Sequence, residues 1–237
     1  MGELSDRRAA KKAQTRELLR SVAQGMFIER GFDAVTIADI AQRAEVAVQT
    51  VFNHFATKED LFFEGRTPWL DGPADAVRRR EPGVLPMVAL RTYLVDEVSR
   101  IVGSFVCPDR RAYAASLHAS DALRAYEREL VHEAERRLGA ALTEAWLADD
   151  AVEPPADPQT AGPLTAAVWL SAARVMVIQQ RPDPGAAFDP SRGPAARAFA
   201  ERLLSQMETC LSMISGLPSQ LPVRETGWPE SVALQAG

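Results

Sequence analysis

Apolar residues recur at three- and four-residue spacings along almost the whole of this chain, and nowhere do they alternate in and out for long. That is the period of an α-helix, so the chain must bury helix stripes against one another and has no material for a sheet. No Asn-Gly or Asp-Gly turn joins two β-branched runs. Prolines and glycines punctuate instead, at Pro68 to Pro73, Pro82 to Pro86, Pro108, Pro154 to Pro163 and Pro182 to Pro194. The fold class expected is all-α.

Between these breaks the segments have helix length. The first runs from about Thr15 to Arg30, with Leu18, Leu19, Val22, Ala23, Met26 and Phe27 on one face. Gly31 suits the left-handed position after a helix, and Phe32 can then fold back onto it. Two short helices follow, Ile37 to Ala44 and Val48 to Phe55; Thr36 caps the first, with Asp39 three residues on. Thr57 caps another, with Asp60 at the same offset. Further helices are expected at about 84–102, 109–119, 121–148, 162–180 and 195–216, and an irregular tail from Leu217.

Residues 36–60 read TIADIAQRAEVAVQTVFNHFATKED. Their apolar positions are Ile37, Ile40, Ala41, Ala44, Val46, Val51 and Phe55. Ala41 is small where two helices would cross, and Val46 is apolar inside an otherwise polar turn. Val51 and Phe55, one helical turn apart, give the second helix an inner face. This is the pattern of a helix-turn-helix whose second helix is free to enter a major groove. Turning Val51 and Phe55 inward leaves Gln49, Thr50 and Asn53 outward. The two amides can each pair bidentately with adenine, and the Thr50 methyl can meet a thymine methyl. His54 and Lys58 fall toward the phosphate side.

The signature formed by FIERGF (Phe27 to Phe32), TIADIAQRA (Thr36 to Ala44) and TVFNHFATKEDL (Thr50 to Leu61) resembles the DNA-binding domain of the TetR family of bacterial regulators. The resemblance covers residues 15–64; the rest is similar only in size and helical pattern. It implies phosphate contacts from Thr36 and Lys58 and a recognition surface of Gln49, Thr50, Phe52, Asn53 and His54. It also implies an N-terminal three-helix domain followed by an antiparallel helical domain for ligand binding and dimerisation. The domains expected are 1–64, 65–216 and the tail 217–237. Three positions depart from the family pattern. Glu45 stands where glycine is common, at a cost of about 1 kcal/mol if the backbone is left-handed there. Ala47 stands where serine or threonine caps the recognition helix, a loss of roughly 0.5–2 kcal/mol. Phe52 stands where tyrosine is common.

The net charge of −5 argues at first against a nucleic acid, but the distribution matters more than the sum. In the first thirty residues seven basic side chains, Arg7, Arg8, Lys11 and Lys12 among them, face four acidic ones. Arg7 and Arg8 are therefore candidate DNA contacts on a basic N-terminal arm, the alternative being a solvated, frayed helix.

In the second domain, Trp69, Tyr93, Phe105, Tyr113, His118, Trp146 and Trp169 are the candidate lining of a ligand pocket, which the resemblance implies between the central helices. For each aromatic, ordinary core is the competing reading. Leu164, Val168 and Val175 on one late helix, with Phe199, Leu203, Met207 and Leu211 on the next, are the candidate dimer interface that the resemblance implies. Two-fold symmetry would set two recognition helices about 34–36 Å apart.

Cys107 and Cys210 lie in no CxxC pair and read as buried apolar fillers in a reduced, cytoplasmic setting. The start of the chain is too polar for a signal peptide, and the stretch from Leu164 to Ile178, interrupted by Arg174, reads as too short and polar to span a bilayer. His118 and His132 are too far apart in sequence for a helical metal pair, and no metal or cofactor is expected. No GxSxG, HExxH, Walker A or dinucleotide motif is present, so no enzymatic activity is expected. The partners expected are a double-stranded DNA operator, a small-molecule effector and a second copy of the chain, with no membrane. The function expected is a repressor released by its effector. The alternatives are an activator of the same architecture, a helical enzyme, or a protein-binding scaffold.

Overall fold

The computed structural model describes residues 2–148, 154–181 and 189–215, with side chains over 6–148, 154–181 and 189–209. Among them there is no strand, and ten helices follow in order: α1 Gly2–Arg30, α2 Ile37–Arg43, α3 Val48–Phe52, α4 Lys58–Phe63, α5 Pro68–Arg78, α6 Pro86–Ser104, α7 Pro108–Ala119, α8 Asp121–Ala148, α9 Pro158–Gln179 and α10 Arg192–Ser215. The expected tail from Leu217 lies outside the described residues.

Local chemistry sets most of the boundaries. α1 stops where Gly31 takes φ +80°, and the Phe32 ring then packs 5.1 Å from that of Phe27. α2 and α4 each start on a closed capping box, Thr36 with Asp39 and Thr57 with Asp60. Three sequence expectations fail here. The basic arm is not separate: Arg7, Arg8, Lys11 and Lys12 lie exposed along α1, which begins at Gly2. Pro68 to Pro73 is not a break but the first half of α5, because Pro68 sits at the helix start, where a missing N–H costs nothing. α9 likewise begins at Pro158, four residues early. At 22 residues it is long and apolar enough to cross a membrane by length and composition alone.

Two cores result. In the first, α1 to α4 bury Leu19, Phe27, Ile40, Val51, Leu61 and Phe62, and Leu117 of α7 and Leu123 of α8 close it from the other side. In the second, α5, α6, α8, α9 and α10 bury Leu90, Leu94, Leu138, Leu142, Trp169 and Leu204. α8 and α9 cross almost backbone to backbone: a Cβ added at Gly162 would stand 2.6 Å from the Gly139 carbonyl oxygen, so only glycine fits. Cys107 is exposed at the start of α7, not buried, because Pro108 begins the helix directly after it. The side chain of Cys210 lies outside the described residues.

Candidate nucleic-acid interface and effector cavity

The turn between α2 and α3 spans Ala44 to Ala47. Its tightness comes from Glu45 at φ +55°, the only non-glycine residue with positive φ among the described residues. That meets the condition under which the sequence attached a cost to Glu45. Val46 donates its N–H to Ala41 (3.0 Å) and its side chain packs on the first core. α3 starts at Ala47 without a side-chain cap, also as foreseen.

The inner face of α3 is shut, with Val51 and Phe55 buried. Its outer face is polar and open. Gln49 and Asn53 are exposed, and Gln49 Nε2 donates to Asn53 Oδ1 at 3.2 Å, so the two amides are held side by side. Thr50 is half-buried, and Phe52 stands 47% exposed. Thr36 is exposed, but its hydroxyl accepts from the Asp39 N–H at 3.1 Å as a helix cap. Asp39 sits below the ordinary carboxylate pKa because the Thr36 N–H donates to it.

Two side chains expected to reach phosphate are otherwise engaged. Lys58 Nζ donates to the carbonyls of Phe32 and Val35, each at 2.9 Å, and lies 4.1 Å over the Phe32 ring. It ties α4 to the loop after α1, leaving one N–H for anything else. His54 turns Nδ1 into the protein, buried and without a hydrogen-bond partner among the described residues. Burial, then the charges of Lys12 and Arg16, push its pKa down, so the ring is neutral near pH 7.

α4 is clamped at both ends. At its start the Tyr126 hydroxyl of α8 donates to Asp60, the capping residue. At its end Arg16 of α1 holds Glu64 through two 2.7 Å hydrogen bonds and also donates to the His54 carbonyl, and the Gln24 amide donates to the Leu61 and Glu64 carbonyls. The linker then turns at Gly65, φ +68°, into Arg66 and α5.

Beside that linker a cavity opens between α5, α6, α8 and α9. Counting its mouth it measures about 650 Å³, with walls from Trp69, Leu94, Val98, Ala134, Leu170 and Val177. It continues toward α7 into a second chamber of about 610 Å³ lined by Arg66, Arg100, Arg110, Tyr113, Phe105 and Arg181. Trp69, Ile101, Glu127, Val177 and Arg181 line both. Of the pocket residues expected from sequence, Trp69, Phe105 and Tyr113 are on these walls. Tyr93, His118, Trp146 and Trp169 are not. Trp169 and Trp146 are buried in the second core, Tyr93 reaches the Pro68 carbonyl at 3.3 Å, and His118 is exposed at the end of α7. The arginines were missed; Arg174, interrupting the apolar run of α9, was their one visible signal.

A sequence profile described as bacterial regulatory proteins, tetR family, matches residues 19–64. The HTH-type transcriptional repressor KstR2 of Mycobacterium tuberculosis is 38% identical over 66 residues, which are 28% of this chain and 33% of that one. The match thus spans about a third of the length of this curated relative. Among solved structures, NalD, the secondary repressor of the MexAB-OprM multidrug efflux pump in Pseudomonas aeruginosa, superposes with a TM-score of 0.51 at 21% identity, over 83% of this chain and 96% of that one. Salmonella enterica GusR gives 0.50 at 19% identity, over 84% and 96%. These two likenesses extend the shared fold over the helical body. Residues 19–64 are thus similar in sequence to the tetR family of bacterial regulatory proteins, and the rest of the described chain shares the fold of NalD and GusR.

Proposed function

We propose that this chain is a homodimeric transcriptional repressor that reads a near-palindromic DNA operator through α3 and is released by a small molecule bound in the cavity. The observation that carries the reading is α3 itself: a buried inner face under an open outer face of two aligned amides. KstR2, similar over 66 residues of this chain, is itself named a repressor. Gln49 and Asn53 are the base readers, with Thr50 and Phe52 beside them. Thr36 and the exposed Arg7, Arg8, Lys11 and Lys12 of α1 supply phosphate contacts.

The dimer reading is supported by an apolar face with no cover among the described residues. Leu164, Val168 and Val175 of α9 and Phe199 of α10 are 38–56% exposed, with half-buried Leu203 and Met207 beside them. The Leu211 side chain lies outside the described residues. Leu164, Val168 and Val175 recur along one side of α9 while Trp169, Leu170 and Ala173 on its other side fill the core, which accounts for a helix apolar nearly all round. Release follows from population shift: the effector acts only as far as it binds unequally to the states with and without operator-matched spacing of α3.

Two measurements test this. Light scattering should give a dimer for the wild type and a monomer for Val175→Asp, with operator binding lost in the variant. Operator affinity should fall steeply with added salt as counterions are released. A monomeric wild type that binds DNA equally well sinks the dimer reading.

A further inference from the structure

The charges around the cavity do not balance. Arg66, Arg100, Arg110, Arg174 and Arg181 line its two chambers, and only Glu97 and Glu127 oppose them, an excess of three positive charges. Glu97 is fully taken by Arg100, through two hydrogen bonds of 2.7 and 2.5 Å. Glu127 is shared at longer range by Arg174 (3.7 Å) and Arg181 (3.6 Å). That leaves Arg66 and Arg110 without a carboxylate partner among the described residues.

Arg66 is the informative one. It is half-buried, 4.7 Å over the Tyr113 ring and 5.6 Å over that of Phe62, so aromatic faces hold the guanidinium, and among the described residues no carboxylate makes an ion pair with it, Asp109 acting only from farther off. Burial lowers its pKa, Tyr113 acts against that, Arg110 and Arg20 lower it further, and Asp109 offsets part of this. Desolvating a cation beside a second cation is costly unless something negative arrives. Next to this end of the cavity, the Trp69, Val98 and Leu170 chamber is apolar.

We infer that the effector is an organic anion with an apolar body, its carboxylate or phosphate held by Arg66 and Arg110 and its body in the chamber behind Trp69. The inference rests on the effector-controlled reading above and gives it a chemical class. It also places the charge where it can act. Arg66 lies two residues beyond Glu64, and its own N–H donates to the Phe63 carbonyl at 2.9 Å, so an anion drawn to its side chain pulls on the end of α4.

The test titrates the full chain by calorimetry with four probes below their micellar concentrations: decanoate, decyl phosphate, decanol and decyltrimethylammonium. Operator affinity is measured in parallel. Wild type should bind decanoate or decyl phosphate, one per chain, at least about tenfold tighter than decanol, and the cationic probe most weakly. Arg66→Met should bring the favoured anion down to the level of decanol, whereas Arg66→Lys should keep most of the preference. Should Arg66→Met fail to fold, Arg110→Met must lower the same preference. Decanoate against decyl phosphate tells which head group is read. Equal binding of decanol and both anions, preference for the cation, or a preference unchanged in Arg66→Met overturns the inference. Anion-selective binding that leaves operator affinity untouched would keep the inference about the site and remove the effector-release reading. Operator release by decanol with no anion preference would do the reverse.

Discussion

Arg16 and Glu64 form a two-pronged ion pair, both contacts 2.7 Å, and the same guanidinium donates to the His54 carbonyl and lies 4.2 Å over the Phe55 ring. One side chain of α1 thus fixes the end of the recognition helix relative to the end of α4. Because the pair is 41% and 30% exposed, its loss should cost only about 1 kcal/mol of stability. Its effect on the angle of α3 should be larger. Arg16→Ala should weaken operator binding, and Glu64→Gln, which touches no DNA in this reading, should weaken it in parallel. Fluorescence anisotropy of both variants checks this; an unaffected Glu64→Gln would mean Arg16 acts through DNA directly.

The turn carries two correctable local costs. Glu45 is left-handed at φ +55°, and α3 lacks a side-chain cap at Ala47. Glu45→Gly should gain up to about 1 kcal/mol, the relief of strain being partly offset by a more flexible unfolded chain. Ala47→Ser should gain about 1 kcal/mol by satisfying a free N–H of α3. Urea unfolding of each variant measures both, and a midpoint that falls in either case contradicts the geometry described.

His54 gives the stability a pH dependence of definite sign. Burial lowers its pKa in the folded chain below the ordinary value of 6.5, so the unfolded chain binds the proton more readily. Its contribution is therefore complete above pH 6.5 and is lost as pH falls below that toward the folded value. Replacing it, as in His54→Gln, should flatten the stability curve in that window. Melting temperatures of both proteins between pH 7.5 and 5 check this, with parallel curves as the contrary result.

Tyr126 and Asp60 are the counterpart at the start of α4, a contact from the body onto a helix cap. Burial first, then Asp60, pushes the Tyr126 pKa up to about 12, so it remains a donor at neutral pH. Tyr126→Phe should cost about 1 kcal/mol of stability. It should leave effector affinity near wild type while reducing the effector's influence on operator binding. Comparing operator affinity with and without saturating effector in both proteins checks the coupling; an unchanged ratio removes Tyr126 from it.

The helix-turn-helix was legible because its determinants are local: Thr36 and Asp39, Thr57 and Asp60, and Gly31 each act within a few residues. α5 was hidden because Pro68 and Pro73 look like breakers unless the helix start is known to fall on Pro68. The intramolecular engagement of Lys58 and His54 was hidden for a different reason. Whether a lysine at a helix start reaches outward or back to the Phe32 and Val35 carbonyls depends on a loop more than twenty residues earlier. The cavity was harder still, since its polar wall draws Arg66, Arg110 and Arg181 from three separate parts of the chain. Trp146 and Trp169, the more conspicuous residues, went to the core.

In the proposed function the outer face of α3 reads bases as part of a dimer. Selection from a random pool of duplex DNA, at physiological salt, with wild type and Asn53→Ala side by side, tests it most directly. Wild type should enrich an inverted repeat, and Asn53→Ala should lose or relax one base pair in each half-site, at about 1–3 kcal/mol per site. An inverted repeat selected identically by both proteins, or no enriched sequence from wild type with the cavity empty, would contradict it.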